Sequence, residues 1–118
     1  MFLQLSHKNL EVYKVSRELM KECYKMILKL PDDEKYNLVR QIRKASLSVK
    51  LNLAEGSSRK SGVERKRFYE ISRGSVIEIN AAVEAAIDLD YLDKSQLEEF
   101  GKLLNSSFAL LSKLISAS

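Results

Sequence analysis

Two carboxylates stand among apolar residues in the middle of the sequence. Glu55 closes the run Ser48-Val49-Lys50-Leu51-Asn52-Leu53-Ala54, and Glu78 follows Gly74-Ser75-Val76-Ile77. Two carboxyl groups that reach one substrate can do general acid–base work, so whether these two converge matters for any enzymatic reading. Between them lies a dense set of cations: Arg59, Lys60, Arg65, Lys66 and Arg67, with Arg73 further on. Such a patch attracts phosphate backbones or acidic proteins. Phe68 and Tyr69 follow at once, and aromatics beside arginines stack on unpaired bases. Phe68 falls on the core stripe of its helix and reads as packing, whereas Tyr69 is less committed.

The net charge of +4 conceals an asymmetry. Residues 35–73 carry eleven basic and three acidic side chains, while residues 74–118 carry three basic and seven acidic. A solvated helix face that pairs with the acidic third would also account for the basic patch. Metal and nucleophile chemistry have little to build on. His7 is the only histidine, near the N-terminus, and Cys23 is the only cysteine. Cys23 falls on an apolar helix stripe, where a small buried hydrophobe is the expected role. No catalytic residue, metal site or cofactor is assigned, and no phosphate-binding glycine loop occurs. A lone cysteine forms no intrachain disulfide and suits a reducing, cytoplasmic setting. The opening run Met1-Phe2-Leu3-Gln4-Leu5 is too short for a signal peptide, and no apolar run is long enough to span a membrane.

The elements that must position these residues are helices. With 118 residues, four glycines and one proline, the chain reads as a single domain, residues 1–118, built from long helices. The spacing of Val12, Val15, Leu19, Cys23, Met26 and Leu30 predicts a helix from about Asn9 to Lys29, ended by Pro31. Asp32 and Asp33 are expected to cap a second helix, from about Glu34 to Glu55, with core stripe Leu38, Ile42, Ala45, Val49 and Leu53. Tyr36, Leu47, Leu51 and Ala54 form a second apolar set on another side, which predicts an oligomer contact through Leu47, Leu51 and Ala54. Gly56 is the expected C-terminal stop with positive φ, and Gly56–Gly62 the expected link. Ser61 with Glu64 is a capping box for a third helix over Gly62–Asp88, with Phe68, Ile71, Ser75, Ile79, Ala82, Ala86 and Leu89 inward. Asp93 is expected to cap a fourth helix, from about Lys94 to Ile115, with Leu97, Phe100, Leu104, Phe108, Leu111 and Ile115 inward. Four helices with short links give an all-α, antiparallel up-down-up-down four-helix bundle.

In such a hairpin, turning near Arg59, Glu78 is expected opposite Arg40, Gln41 or Arg43 as a register-locking pair. Glu55 is expected to bond the turn through Ser57, Ser58 or Arg59, tens of Å from Glu78. Asn52, Glu55, Gly56, Gly74, Ser75 and Glu78 thus read as a structural signature rather than a catalytic site.

Ser48 through Gly56, then Arg59, Phe68 and Gly74-Ser75-x-x-Glu78, resemble the signature of the four-helix-bundle proteins encoded in intervening sequences of bacterial 23S rRNA genes. Leu10 to Tyr13, Pro31 with Glu34, Gln41 to Ala45, and Tyr91-Leu92 also fit. Tyr13 departs from the tryptophan of many relatives, and Ser72-Arg73 from a more usual Ala-x pair. The resemblance implies a cytosolic bundle that assembles into homopentameric rings and has no established enzymatic activity. Distant relatives, accessory proteins of diversity-generating retroelements, bind nucleic acid and a reverse transcriptase through a basic ring. The expected partners are therefore other copies of the chain, RNA or DNA through Arg59, Lys60, Arg65, Lys66, Arg67 and Arg73, and a protein encoded nearby. A membrane is not among them.

Overall fold

In the computed structural model, which describes residues 2–118 apart from the side chain of Asn9, four α-helices carry the chain. They are α1 (Glu11–Met26), α2 (Leu38–Ser57), α3 (Gly62–Asp88) and α4 (Glu98–Ala117). Short 3-10 turns occupy Ser6–Asn9, Ile27–Lys29, Asp32–Glu34 and Lys94–Gln96, and no strand occurs among the described residues. Met1, part of the apolar opening run, lies outside the described residues.

Contacts join α1 to α2, α2 to α3, α3 to α4 and α4 back to α1, so the helices close around one core. Leu19, Cys23, Ile42, Val49, Leu53, Val76, Ile79 and Leu111 are fully buried there. Each such aliphatic side chain contributes about 1.5–3 kcal/mol relative to exposure. The 27 residues of α3 span about 40 Å at the helical rise, which accounts for most of the 44 Å long axis.

The end of α1 follows its sequence. Leu30 adopts ψ 145, as a residue before proline must, and Pro31 turns the chain. The start of α2 differs from expectation. Asp32–Glu34 forms a 3-10 turn in which Glu34 N–H donates to the Pro31 carbonyl and Lys35 N–H to that of Asp32. The helix begins only at Leu38, without a side-chain cap. The reason is tertiary: the Glu34 carboxylate accepts from Asn37 Nδ2 at 3.0 Å and from Tyr91 Oη at 3.0 Å, which ties this link to the one before α4. Tyr36 stands outside any helix and is 79% exposed.

Gly56 also departs from its expected role. Among the described residues no glycine has positive φ, and Gly56 is buried inside α2, which continues to Ser57. A β-carbon there would stand 2.9 Å from Phe68 Cβ and 2.9 Å from the Tyr69 ring. The glycine is required for close approach of α2 and α3, not for a turn. The left-handed residue is Asp90 at φ 62, where Tyr91 N–H donates to the Ala86 carbonyl and Asp90 N–H to that of Ile87, closing the end of α3.

α3 begins as predicted, with Ser61 Oγ accepting from Glu64 N–H at 3.0 Å. Its inward face is rotated by about one residue. Tyr69, Ser72, Val76 and Val83 are buried with Ser75, Ile79 and Ala86, while Phe68 and Ala82 are half-buried and Ile71 and Leu89 exposed. The rotation follows from hydrogen bonds across to α2, described below. Asp93 caps the 3-10 turn rather than α4 itself: its Oδ1 accepts from Ser95 N–H and Oγ, which holds the carboxyl below its usual pKa. On α4, Ser107 is buried where Phe108 was expected, and Phe108 faces outward.

Candidate nucleic-acid interface

The basic stretch divides by what each side chain touches. Arg65, in the first turn of α3, folds back so that Nη1 donates to the carbonyls of Arg59 at 3.0 Å and Lys60 at 2.7 Å. It satisfies two carbonyls of the link beyond the end of α2. Arg59 Nη2 pairs with Glu55, and its guanidinium lies 5.0 Å from the centroid of the Phe68 ring. Glu55 is thus tied to the turn through Arg59, as expected. Arg73 donates to Ser112 Oγ at 3.1 Å and covers the Phe108 ring at 5.6 Å, which links α3 to α4. These three arginines hold the fold as well as carrying charge.

Lys60, Lys66 and Arg67 are exposed, and among the described residues no hydrogen bond or ion pair engages their side chains. Lys66 and Arg67 edge a shallow depression of about 620 Å³ with Val63, Glu70 and Ile71. Val63 is 83% exposed and presents an apolar surface beside the cations. Phe68 is covered by Arg59, and Tyr69 is buried with its hydroxyl 3.1 Å from Ser57 Oγ. Tyr69 is the packed ring and is not open for stacking on a base, while Phe68 is half-buried with Arg59 over it.

The polar signature forms a seam between α2 and α3. Asn52 Nδ2 donates to the Ser48 carbonyl and to Ser48 Oγ, and Ser75 Oγ donates to Ser48 Oγ at 2.8 Å. One layer on, Ser72 Oγ donates to the Val49 carbonyl at 2.7 Å from a fully buried position. Ser75 therefore joins α3 to α2 through Ser48, and Asn52 meets that contact from within its own helix. Glu78 is exposed, and among the described residues it forms no ion pair with Arg40 or Arg43, while Arg43 lies over the Tyr24 ring at 5.8 Å. The pairs Ser57–Tyr69 and Ser48–Ser75 set a register centred beyond Arg59. That register separates the levels of Glu55 and Glu78 by roughly 10–15 Å along the axis, less than the tens of Å expected. Gly74 is half-buried, with open space at its β-position. Leu47 and Leu51 are exposed on α2, and Ala54 is half-buried.

The family model for the 23S rRNA-intervening sequence protein matches residues 8–113, from the turn before α1 to the last helix. The chain belongs to this family. No curated protein matches the chain.

His7 and Cys23, side chains of the kind that most often carry chemistry, are used for packing here. His7 is buried, with its ring 4.7 Å from that of Tyr13 in an edge contact. Burial pushes the Cys23 thiol up to about 12, with Glu22 adding to the shift. No cluster of three His, Cys, Asp or Glu occurs among the described residues, and no helix there is long and apolar enough to cross a membrane. Sequence reasoning missed Tyr69, Ser57, Ser72 and the clamp by Arg65. Serines repeating inside otherwise apolar helices were the available signal, since a buried hydroxyl must find a partner.

Proposed function

We propose that this protein is a non-enzymatic, homo-oligomeric four-helix bundle that binds RNA through the exposed cations around the α2–α3 link. The observation that carries the reading is the grouping of Lys60, Lys66 and Arg67, exposed and unengaged among the described residues, around a link stiffened by Arg59 and Arg65. Cations held on a rigid frame meet phosphates without the ordering cost of a loose tail. Arg59, Arg65 and Arg73 add to the local potential while remaining tied to the fold. DNA would be met by the same charges, and sequence readout is not part of this proposal. Cross-helix partners that ascend in α3 as they descend in α2 (Ser57 with Tyr69, Val49 with Ser72, Ser48 with Ser75) support an antiparallel hairpin. Short links support the up-down-up-down order for the rest.

The exposed Leu47 and Leu51 support self-association, and five copies is the number implied by the resemblance. No cofactor and no membrane belongs to this reading, and its compartment is the cytoplasm. In an electrophoretic mobility assay the wild-type chain should retard RNA, and a Lys60→Ala/Lys66→Ala/Arg67→Ala variant of unchanged helicity should not. The same exposed leucines favour a second reading, a scaffold for a protein encoded nearby. A captured partner that survives nuclease treatment, with no retardation of any RNA, would replace the first reading with the second.

A further inference from the structure

The outer side of the α3–α4 pair carries a groove of about 470 Å³ whose floor includes Val83, Phe100 and Leu104. Past Asn80 and Asn105 it continues into a second depression of about 210 Å³ that reaches Ile77 and Phe108. Ile77 is 52% exposed and Phe108 41%. The side chains edging the groove near the start of α4 are mostly acidic: Glu84, Asp88 and Glu98 against Lys94, with Glu98 also 3.8 Å from Lys102 in an exposed pair. Gly101 lies in the groove wall in the first turns of α4, and a β-carbon there would meet nothing within 4 Å. Glycine is a poor helix residue, and nothing in its own chain calls for it. A close approach from outside would.

The outward stripe of α2 has the complementary character. Arg40, Lys44, Leu47 and Leu51 follow at helical spacing, all exposed, and among the described residues no ion pair holds the two cations. From Arg40 to Leu51 the stripe is about 16 Å long, and so is the groove from Ile77 to Asp88. We propose that the α2 stripe of one copy seats in the α3–α4 groove of a second copy. The leucines lie on the apolar floor, beside Gly101, and the cations meet the carboxylate rim. The inference rests on the self-association proposed above and names the surfaces that make it. Because the two surfaces differ, each copy keeps one stripe and one groove for further copies, and the contact closes into a ring when the rotation allows.

Size-exclusion chromatography with light scattering tests the pairing. The wild-type chain should elute at a multiple of 13.5 kDa. Glu84→Lys/Glu98→Lys, Arg40→Glu/Lys44→Glu and Gly101→Arg should each give the monomer mass with helical circular dichroism unchanged. The chain carrying all four charge reversals should reassemble, since the signs again match. A wild-type monomer would overturn both the self-association and the pairing, leaving the groove to some other helix. A wild-type oligomer whose mass survives the single-surface variants would overturn the pairing alone, as would a four-reversal chain that stays monomeric.

Discussion

Arg65 and Lys66 follow one another in the first turn of α3, yet only Arg65 turns back onto the link, where its guanidinium closes on two carbonyls. Hydrogen bonds from a charged donor contribute about 1.5–3 kcal/mol when the acceptors would otherwise be left open. Partial exposure places Arg65→Ala at the low end of that range. Urea denaturation should show Arg65→Ala losing about 1–2 kcal/mol and Lys66→Ala staying within about 0.5 kcal/mol of wild type. Equal effects would contradict the division of the basic residues into clamps and free cations. Cys23 makes a second prediction. Its thiol ionises near 9.0 in an open chain and near 12 in the fold. The unfolded state therefore loses its proton first as pH rises. The stability contributed by the neutral thiol is complete below about pH 9 and declines from there toward pH 12. Comparing alkaline denaturation of the wild type with Cys23→Ala isolates this component, and at pH 8 a thiol reagent should label Cys23 only as the protein unfolds.

At the scale of the elements, the α2–α3 contact organises the molecule, and Gly56 is its narrowest point. Gly56→Ala must push Phe68 or Tyr69 aside and should cost about 1–3 kcal/mol. Gly74→Ala meets open space and should gain up to about 1 kcal/mol from helix propensity. Thermal unfolding of the two variants separates a packing role from a turn role. The four helices were legible because their apolar residues recur at helical spacing, and the span of α3 was legible because Ser61 and Glu64 cap it. The inward face of α3 was not. Phe68 and Ile71 repeat as regularly as Tyr69 and Ser72, and only the partners at Ser57 and Val49 choose between them. The start of α2 was hidden for the same reason, since Tyr91 reaches Glu34 from 57 residues away. Glu78 missed its expected partners because the cross-helix bonds centre the hairpin beyond Arg59, and each residue of displacement moves the opposite level by two. Gly56 misled because glycine near a helix end usually signals a left-handed cap, and here the cap conformation falls on Asp90.

Across the whole molecule, charge is segregated along with structure. Cations collect on α2 and around its link to α3, and carboxylates collect around the link to α4. That polarity serves both proposed contacts, one with a polyanion and one between copies. The claim about the polyanion is the central one, and the salt dependence of RNA affinity tests it most directly. Each phosphate neutralised contributes about 0.7 to the slope of log K against log salt for a single strand. Fluorescence anisotropy with a single-stranded RNA should give a steep negative slope for the wild type. Replacing Lys60, Lys66 and Arg67 with alanine should lower that slope by about 2 at unchanged helicity. An affinity that ignores salt, or a slope the three substitutions leave untouched, would contradict the account.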